Sequence, residues 1–452
     1  MRAPGASAPG ALPHRPWSSP ARRALPLLLL LLLTPTACGD PPVPVPVTQS
    51  GPADAKATDA KATDAKAADA NAPRRRPSAE PRDTFEAQLA AVDRRVTGQI
   101  KVTEKNARSS LAFGNLASLY LTRARLTGDY DDYAKAEEAL QKAFTVGPKD
   151  YGPYMVRAQL NYTLHRLDRV DADFEHATRM PTRDGREQYR RNQFAGNLAF
   201  QRGQYEQALQ KLQAALTLKP TLSALASLAL YHWKAGRFDE AEALYQQALG
   251  AHNGKDTEPL AWVHLQLGLM DLDRGRYDEA LAHYREGEAL IRGYWLIEEH
   301  IAEILTLTGK LEEAKALYTS IIERTDNPEF MDAMAGIARD AGDEAEAARW
   351  IARARAKYEA QLERYPEAAY GHALEHFLEF GEDPARTVEL AERNHALRPN
   401  ADAKRLLAEA YLAAGRTEDA RATIEQALAT PMRSADLHAT AAAVYAAAGD
   451  EA

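Results

Sequence analysis

From residue 83 onward apolar residues return every three or four positions, in runs separated by short polar stretches that contain glycine, which predicts helix after helix and no strands. Asp83-Thr84 offers a cap, and Phe85, Leu89, Val92, Val96 and Ile100 follow at helical spacing. Eight glycines, Gly203, Gly236, Gly275, Gly309, Gly342, Gly381, Gly415 and Gly449, then recur at spacings of 33, 39, 34, 33, 39, 34 and 34 residues. So regular a period marks a repeat array.

Each unit reads as two helices with the glycine in the turn between them, because glycine takes the left-handed conformation that ends a helix without a Cβ clash. Five residues after seven of the glycines stand Ala208, Ala241, Ala280, Ala314, Ala347, Arg386 and Ala420, and nine after stand Leu212, Tyr245, Tyr284, Tyr318, Ile351, Leu390 and Ile424. Small residues also precede the turns by seven positions, at Gly196, Ala229, Gly268, Ala302, Ala335 and Ala408. Two helices approach to roughly 8–10 Å where such small faces meet, and the larger residue one turn on fills the space beyond.

In these features the chain resembles the tetratricopeptide-repeat family. Leu228-Ala229, then Gly236-Arg237-Phe238-Asp239-Glu240-Ala241, then Tyr245 and Ala248 follow its pattern, as do Leu267-Gly268, Gly275-Arg276-Tyr277-Asp278-Glu279-Ala280 and Tyr284. Closing prolines appear at Pro148, Pro220 and Pro399, and two looser copies precede Gly203. The resemblance implies an all-α superhelical solenoid over 110–452, about nine repeats plus a partial last one. The helix within 83–109 is expected to cap its first repeat, because terminal units expose the face that neighbours bury elsewhere.

Residues 1–82 follow another composition. Arg2, Arg15, Arg22 and Arg23 precede an apolar run from Ala24 to Leu33 that is too short for the roughly 20 residues of a membrane span, so residues 1–37 read as a signal peptide. Cys38 is the chain's only cysteine, which excludes an internal disulfide. Thr34-Pro35-Thr36-Ala37-Cys38-Gly39 resembles the lipobox of bacterial lipoproteins, with Pro35 where leucine is usual. That resemblance implies lipidation of Cys38; ordinary cleavage after Ala37, leaving a free thiol, is the other reading. Residues 38–82, rich in Pro, Ala, Asp and Lys, carry no apolar pattern and are expected to form a disordered tether reaching roughly 40 Å. Within it Arg74-Arg75-Arg76 suits an anionic surface or simply a solvated charge run.

Family resemblance also implies a concave wall lined by first helices that binds peptide segments or partner helices. Counting back from each glycine places Arg190, Asn197, Phe200, Leu230, Trp233, Lys234, Trp262, Leu265 and Leu269 on it, followed by Glu299, Glu303, Asp332, Asp340, Glu375, Glu379 and Glu409. The wall thus changes from apolar and aromatic to acidic. Two readings stand for each part: Trp233 and Trp262 anchor a partner or pack between repeats, and the acidic residues meet a basic partner or form a solvated face. A net charge of −8 with no basic stripe after the tether argues against nucleic acid.

One motif carries candidate chemistry. His372-Ala-Leu-Glu375-His376 has the order of an inverted zinc-peptidase helix, in which two histidines four apart share a face and the glutamate activates water. No third ligand or second domain accompanies it, and Ala373, Leu374 and Phe377 fall where the repeat needs core contacts. No cofactor, catalytic residue, metal or small-molecule substrate is therefore expected, and a zinc-dependent hydrolase is the alternative. The expectation is a lipid-anchored, non-catalytic interaction scaffold of a bacterial cell envelope, facing the periplasm or the exterior.

Overall fold

The computed structural model describes residues 83–449 apart from 149–151, 180–185, 253, 255 and 382. The signal segment, Cys38 and the tether lie outside the described residues. Twenty α-helices make up the described chain. After α1 (Phe85–Lys105) they pair as antiparallel hairpins: α2 and α3 (Ser110–Thr127, Tyr130–Val146), α4 and α5 (Tyr154–Thr163, Val170–Arg179), α6 and α7 (Arg186–Gln201, Tyr205–Leu218), α8 and α9 (Leu222–Lys234, Phe238–Ala251), and α10 and α11 (Glu258–Asp273, Tyr277–Leu290). The pattern continues through α12 and α13 (Trp295–Leu307, Leu311–Thr325), α14 and α15 (Pro328–Asp340, Glu344–Arg364), α16 and α17 (Pro366–Phe380, Pro384–Leu397), α18 and α19 (Ala401–Ala413, Thr417–Leu428) and then α20 (Ala435–Ala448). The result is a tetratricopeptide-like α solenoid.

The local chemistry follows the sequence closely. Side-chain oxygens of Thr84, Ser109, Asn400 and Ser434 accept from backbone amides of the first turns of α1, α2, α18 and α20, satisfying donors that a helix start leaves open. Gly203, Gly236, Gly275, Gly309, Gly342, Gly415 and Gly449 all have φ between 69° and 81°, in the left-handed region. Gly381 does not. Its φ is −76°, and α17 starts three residues later, at Pro384, where the other second helices start two residues after their glycine. Proline disfavours a helical residue before it, which makes the turn longer and removes the need for a left-handed glycine. The extra residue also shifts the register. Buried Thr387, rather than the half-exposed Arg386, takes the small-residue position in this repeat.

The predicted small faces are the core. Ala208, Ala241, Ala280, Ala314, Ala347 and Ala420 are buried, as are Leu212, Tyr245, Tyr284, Tyr318, Leu390 and Ile424 beyond them. The tightest contact is at Gly268, where a Cβ would come within 2.2 Å of the Tyr284 ring, so only glycine lets α10 and α11 approach this closely.

The solenoid does not stay open. It closes on itself, with the turn edge of the first hairpins seated on the entry edge of hairpins about 170 to 230 residues later. The seam begins where β1 (Asp83–Thr84) pairs in parallel with β2 (Ile291–Arg292), beside a hydrogen bond from Gln88 to Thr257 at 2.9 Å and a stack of Phe85 on Tyr294. Trp295 Nε1 donates to the Leu126 carbonyl at 2.9 Å, and Arg364 pairs with Asp131. Further along, Arg398 reaches His165, the Ala401 amide donates to the Tyr205 hydroxyl at 2.7 Å, and the Arg433 amide donates to the Lys234 carbonyl at 2.8 Å. Thus α1 does more than cover the first repeat: its entry strand ties the start of the chain to the middle of the array.

Candidate functional site: the inner wall

First helices of successive hairpins touch one another, α6 with α8, α8 with α10, α14 with α16 and α16 with α18, and form the inner wall expected from the repeat. Of the nine predicted wall residues, Asn197, Leu230, Trp233, Trp262, Leu265 and Leu269 are buried, Phe200 and Lys234 are half-buried, and Arg190 is exposed. Trp233 packs between repeats, 1% exposed, with its Nε1 donating to Asp273 at 2.8 Å and Lys234 Nζ 3.9 Å over its ring. Trp262 behaves differently. Its Nε1 and, one turn on, the Gln266 Nε2 are both sealed from solvent, and neither donates to an acceptor among the described residues. Residues four apart share a helix face, so α10 carries two open donors beside Leu265 and Leu269.

Part of the acidic half of the wall is buried rather than solvated. Glu299, Glu303, Glu329 and Asp332 are buried, and each meets an imidazole. On α12, His300 lies between Glu299 at 2.9 Å and Glu303 at 3.1 Å, its ring stacked on Tyr284. Between α14 and α16, Glu329 meets His372 Nδ1 at 2.7 Å and Asp332 meets His376 Nδ1 at 2.8 Å. Burial alone would discharge His300, yet the two carboxylates hold its pKa up at about 10. Desolvation lifts Glu375 to about 8 against the pull of His372. At the seam, burial and the neighbouring Arg398 push His165 well below the usual histidine range. Asp340 and Glu379, by contrast, are exposed.

This arrangement accounts for the His372-Ala-Leu-Glu375-His376 motif. Its imidazoles are committed to α14 carboxylates, and the three side chains do not converge on a common point. Among the described residues the donor atoms that do converge belong to His264 of α10 and to His283 and Glu286 of α11, all within 4.8 Å of one another. Sequence reading passed over these residues, although His283 and Glu286 stand three apart on a helix, a ligand spacing.

Matches to protein-family models agree with the repeat. Two family models described as tetratricopeptide repeat match residues 220–292 and 401–426. These matches support a tetratricopeptide-repeat protein. Similar solved structures include the Rap protein complexed with competence and sporulation factor, at 11% identity over 80% of this chain and 99% of that one, TM-score 0.44. Human IFIT1, a dimer with PPP-AAAA, is 17% identical over 73% of this chain and 84% of its own, TM-score 0.39. Pseudomonas aeruginosa pilF is 19% identical over 54% of this chain and 99% of its own, TM-score 0.34. No curated protein sequence matches the chain. The tetratricopeptide repeats support a protein-interaction scaffold.

Proposed function

We propose that this tetratricopeptide-repeat chain is a non-catalytic scaffold of a bacterial cell envelope, held to a membrane through lipidated Cys38, that grips peptide segments or partner helices on its inner wall. The observation that carries the binding role is the pair of open donors on α10, Trp262 Nε1 and Gln266 Nε2, set among Leu265 and Leu269. Buried donors left unpaired are unfavourable; both are sealed in the closed coil, so backbone carbonyls of an apolar segment would satisfy them once the wall opens. Such a segment would enter where the wall still meets solvent, at Arg190, Phe200 and Lys234, beside the Arg433–Lys234 hydrogen bond that closes the seam.

A photo-crosslinking residue placed at Arg190 or Lys234 in cells is expected to capture a second protein, whereas crosslinks formed only within the chain would overturn the binding role. For the anchor, wild-type protein is expected in the membrane fraction until detergent is added, and Cys38→Ala is expected to be soluble or unprocessed. Wild-type protein recovered without detergent would remove the anchor.

A further inference from the structure

The convergent group on α10 and α11 has a use that the scaffold reading does not supply. We propose that His264, His283 and Glu286 form a binding site for a divalent transition-metal ion, zinc by preference, with Asp271 behind His283. Glu286 Oε2 lies 2.9 Å from His264 Nδ1 and 3.4 Å from His283 Nδ1. Ligands of a tetrahedral zinc ion at bond lengths of about 2.0–2.1 Å stand ~3.3 Å apart, a value that lies between these two separations. Both Nδ1 atoms are sealed from solvent, and neither makes a hydrogen bond. The carboxylate oxygen is therefore close to two nitrogens without lying on the axis of either, as donor atoms do when they face a shared point rather than each other.

Chemistry and access agree with this. Two imidazoles and one carboxylate suit zinc, whereas magnesium and calcium prefer all-oxygen sets. Metal-bound imidazole must be neutral, so binding is expected to weaken as pH falls. The other nitrogen of His283, Nε2, lies 3.7 Å from Asp271 Oδ2, and that buried carboxylate is itself fixed by Arg276. At that separation Asp271 places a negative charge behind the ring rather than accepting a hydrogen bond from it. His264 and His283 are 16% and 24% exposed and Glu286 59%, so the group opens towards solvent on its glutamate side. Three protein ligands leave the fourth position of a tetrahedral ion to water or to a side chain of a partner. An ion held there would join the two helices that meet at Gly268.

The test is a zinc titration of the purified full chain after chelator treatment, read by competition with a chromophoric chelator and by thermal unfolding. One equivalent of zinc is expected to bind and to raise the melting temperature, as any ligand of the folded state does. His264→Ala and His283→Ala are each expected to abolish stoichiometric binding, and Asp271→Asn, which removes the charge behind the ring, to weaken it. Should a histidine variant fail to fold, Glu286→Gln changes an exposed side chain and is expected to lose most of the affinity in a folded protein. Paired His372→Gln and His376→Gln changes are expected to leave the equivalent in place. No zinc bound at stoichiometric concentration, or binding unchanged in Glu286→Gln and in the histidine variants, would overturn the site.

Discussion

The inner wall has two stretches that are buried to a similar degree by opposite means. Along α8 and α10 the chain fills the coil with Leu230, Trp233, Leu265 and Leu269, whereas along α12, α14 and α16 it uses Glu299, His300, Glu303, Glu329, Asp332, His372 and His376. Apolar burial is favourable wherever it occurs and asks little of its neighbours. Buried carboxylates are tolerated only with partners, and Glu299, Glu303, Glu329 and Asp332 are each matched to an imidazole at 2.7–3.1 Å. The first stretch supplies stability that pH does not touch, and the second fixes which helix faces which.

The largest effect should come from the apolar stretch. Trp233→Ala is expected to destabilise by about 3–5 kcal/mol, seen as a lowered denaturant midpoint, since the site is fully packed and Asp273 loses its donor. A near-neutral result would mean that the coil is looser at α8 than the contacts indicate. In the acidic stretch, Glu303→Gln removes one charge from the His300 clamp and is expected to cost about 2 kcal/mol near neutral pH.

The two stretches part most clearly in their response to pH. His300 has a folded pKa of about 10 against an ordinary 6.5, so its stabilisation is complete below 6.5 and is lost as pH rises towards 10. Glu375, lifted from 4.5 to about 8, acts in the same direction between those values. Denaturation midpoints should therefore fall as pH rises from about 6.5 to 10, with a shallower slope in Glu303→Gln; equal slopes would show that His300 is not clamped. On the acid side His165, kept neutral in the fold, withdraws stability as pH falls below 6.5. A smaller effect of about 1–3 kcal/mol is expected for Ala280→Leu, which overpacks the contact between α10 and α11 without touching either stretch. Smallest of all is Arg364→Ala at the seam: both partners of that pair are about half exposed, and its loss should shift stability by less than about 1 kcal/mol.

Much of the fold was legible because a repeat writes the same instruction many times. The glycine period, the alanine five residues later and the larger residue nine residues later each gave a phase, and agreement among copies outweighed Arg386, whose apparent misfit was one added residue before Pro384. The seam left no such trace. Its contacts join residues such as Gln88 with Thr257 and His165 with Arg398, each made once and none repeated in phase. Glu299, Glu303 and Asp332 were placed in the right helices but given the wrong surroundings, whereas Asp340 and Glu379 are exposed, as on a solvated face. Counting positions identifies a face, while only the closed coil determines that this face is dry. His372 and His376 illustrate the same limit, because their partners Glu329 and Asp332 lie on the preceding first helix and pairing across helices is invisible to a motif.

The short ladder between Asp83–Thr84 and Ile291–Arg292 has a mechanical consequence. Whatever the chain carries ahead of Asp83 hangs from the waist of the coil rather than from one end. Tension applied there would load the ladder in shear, through the first helix and the hairpin that follows Ile291–Arg292.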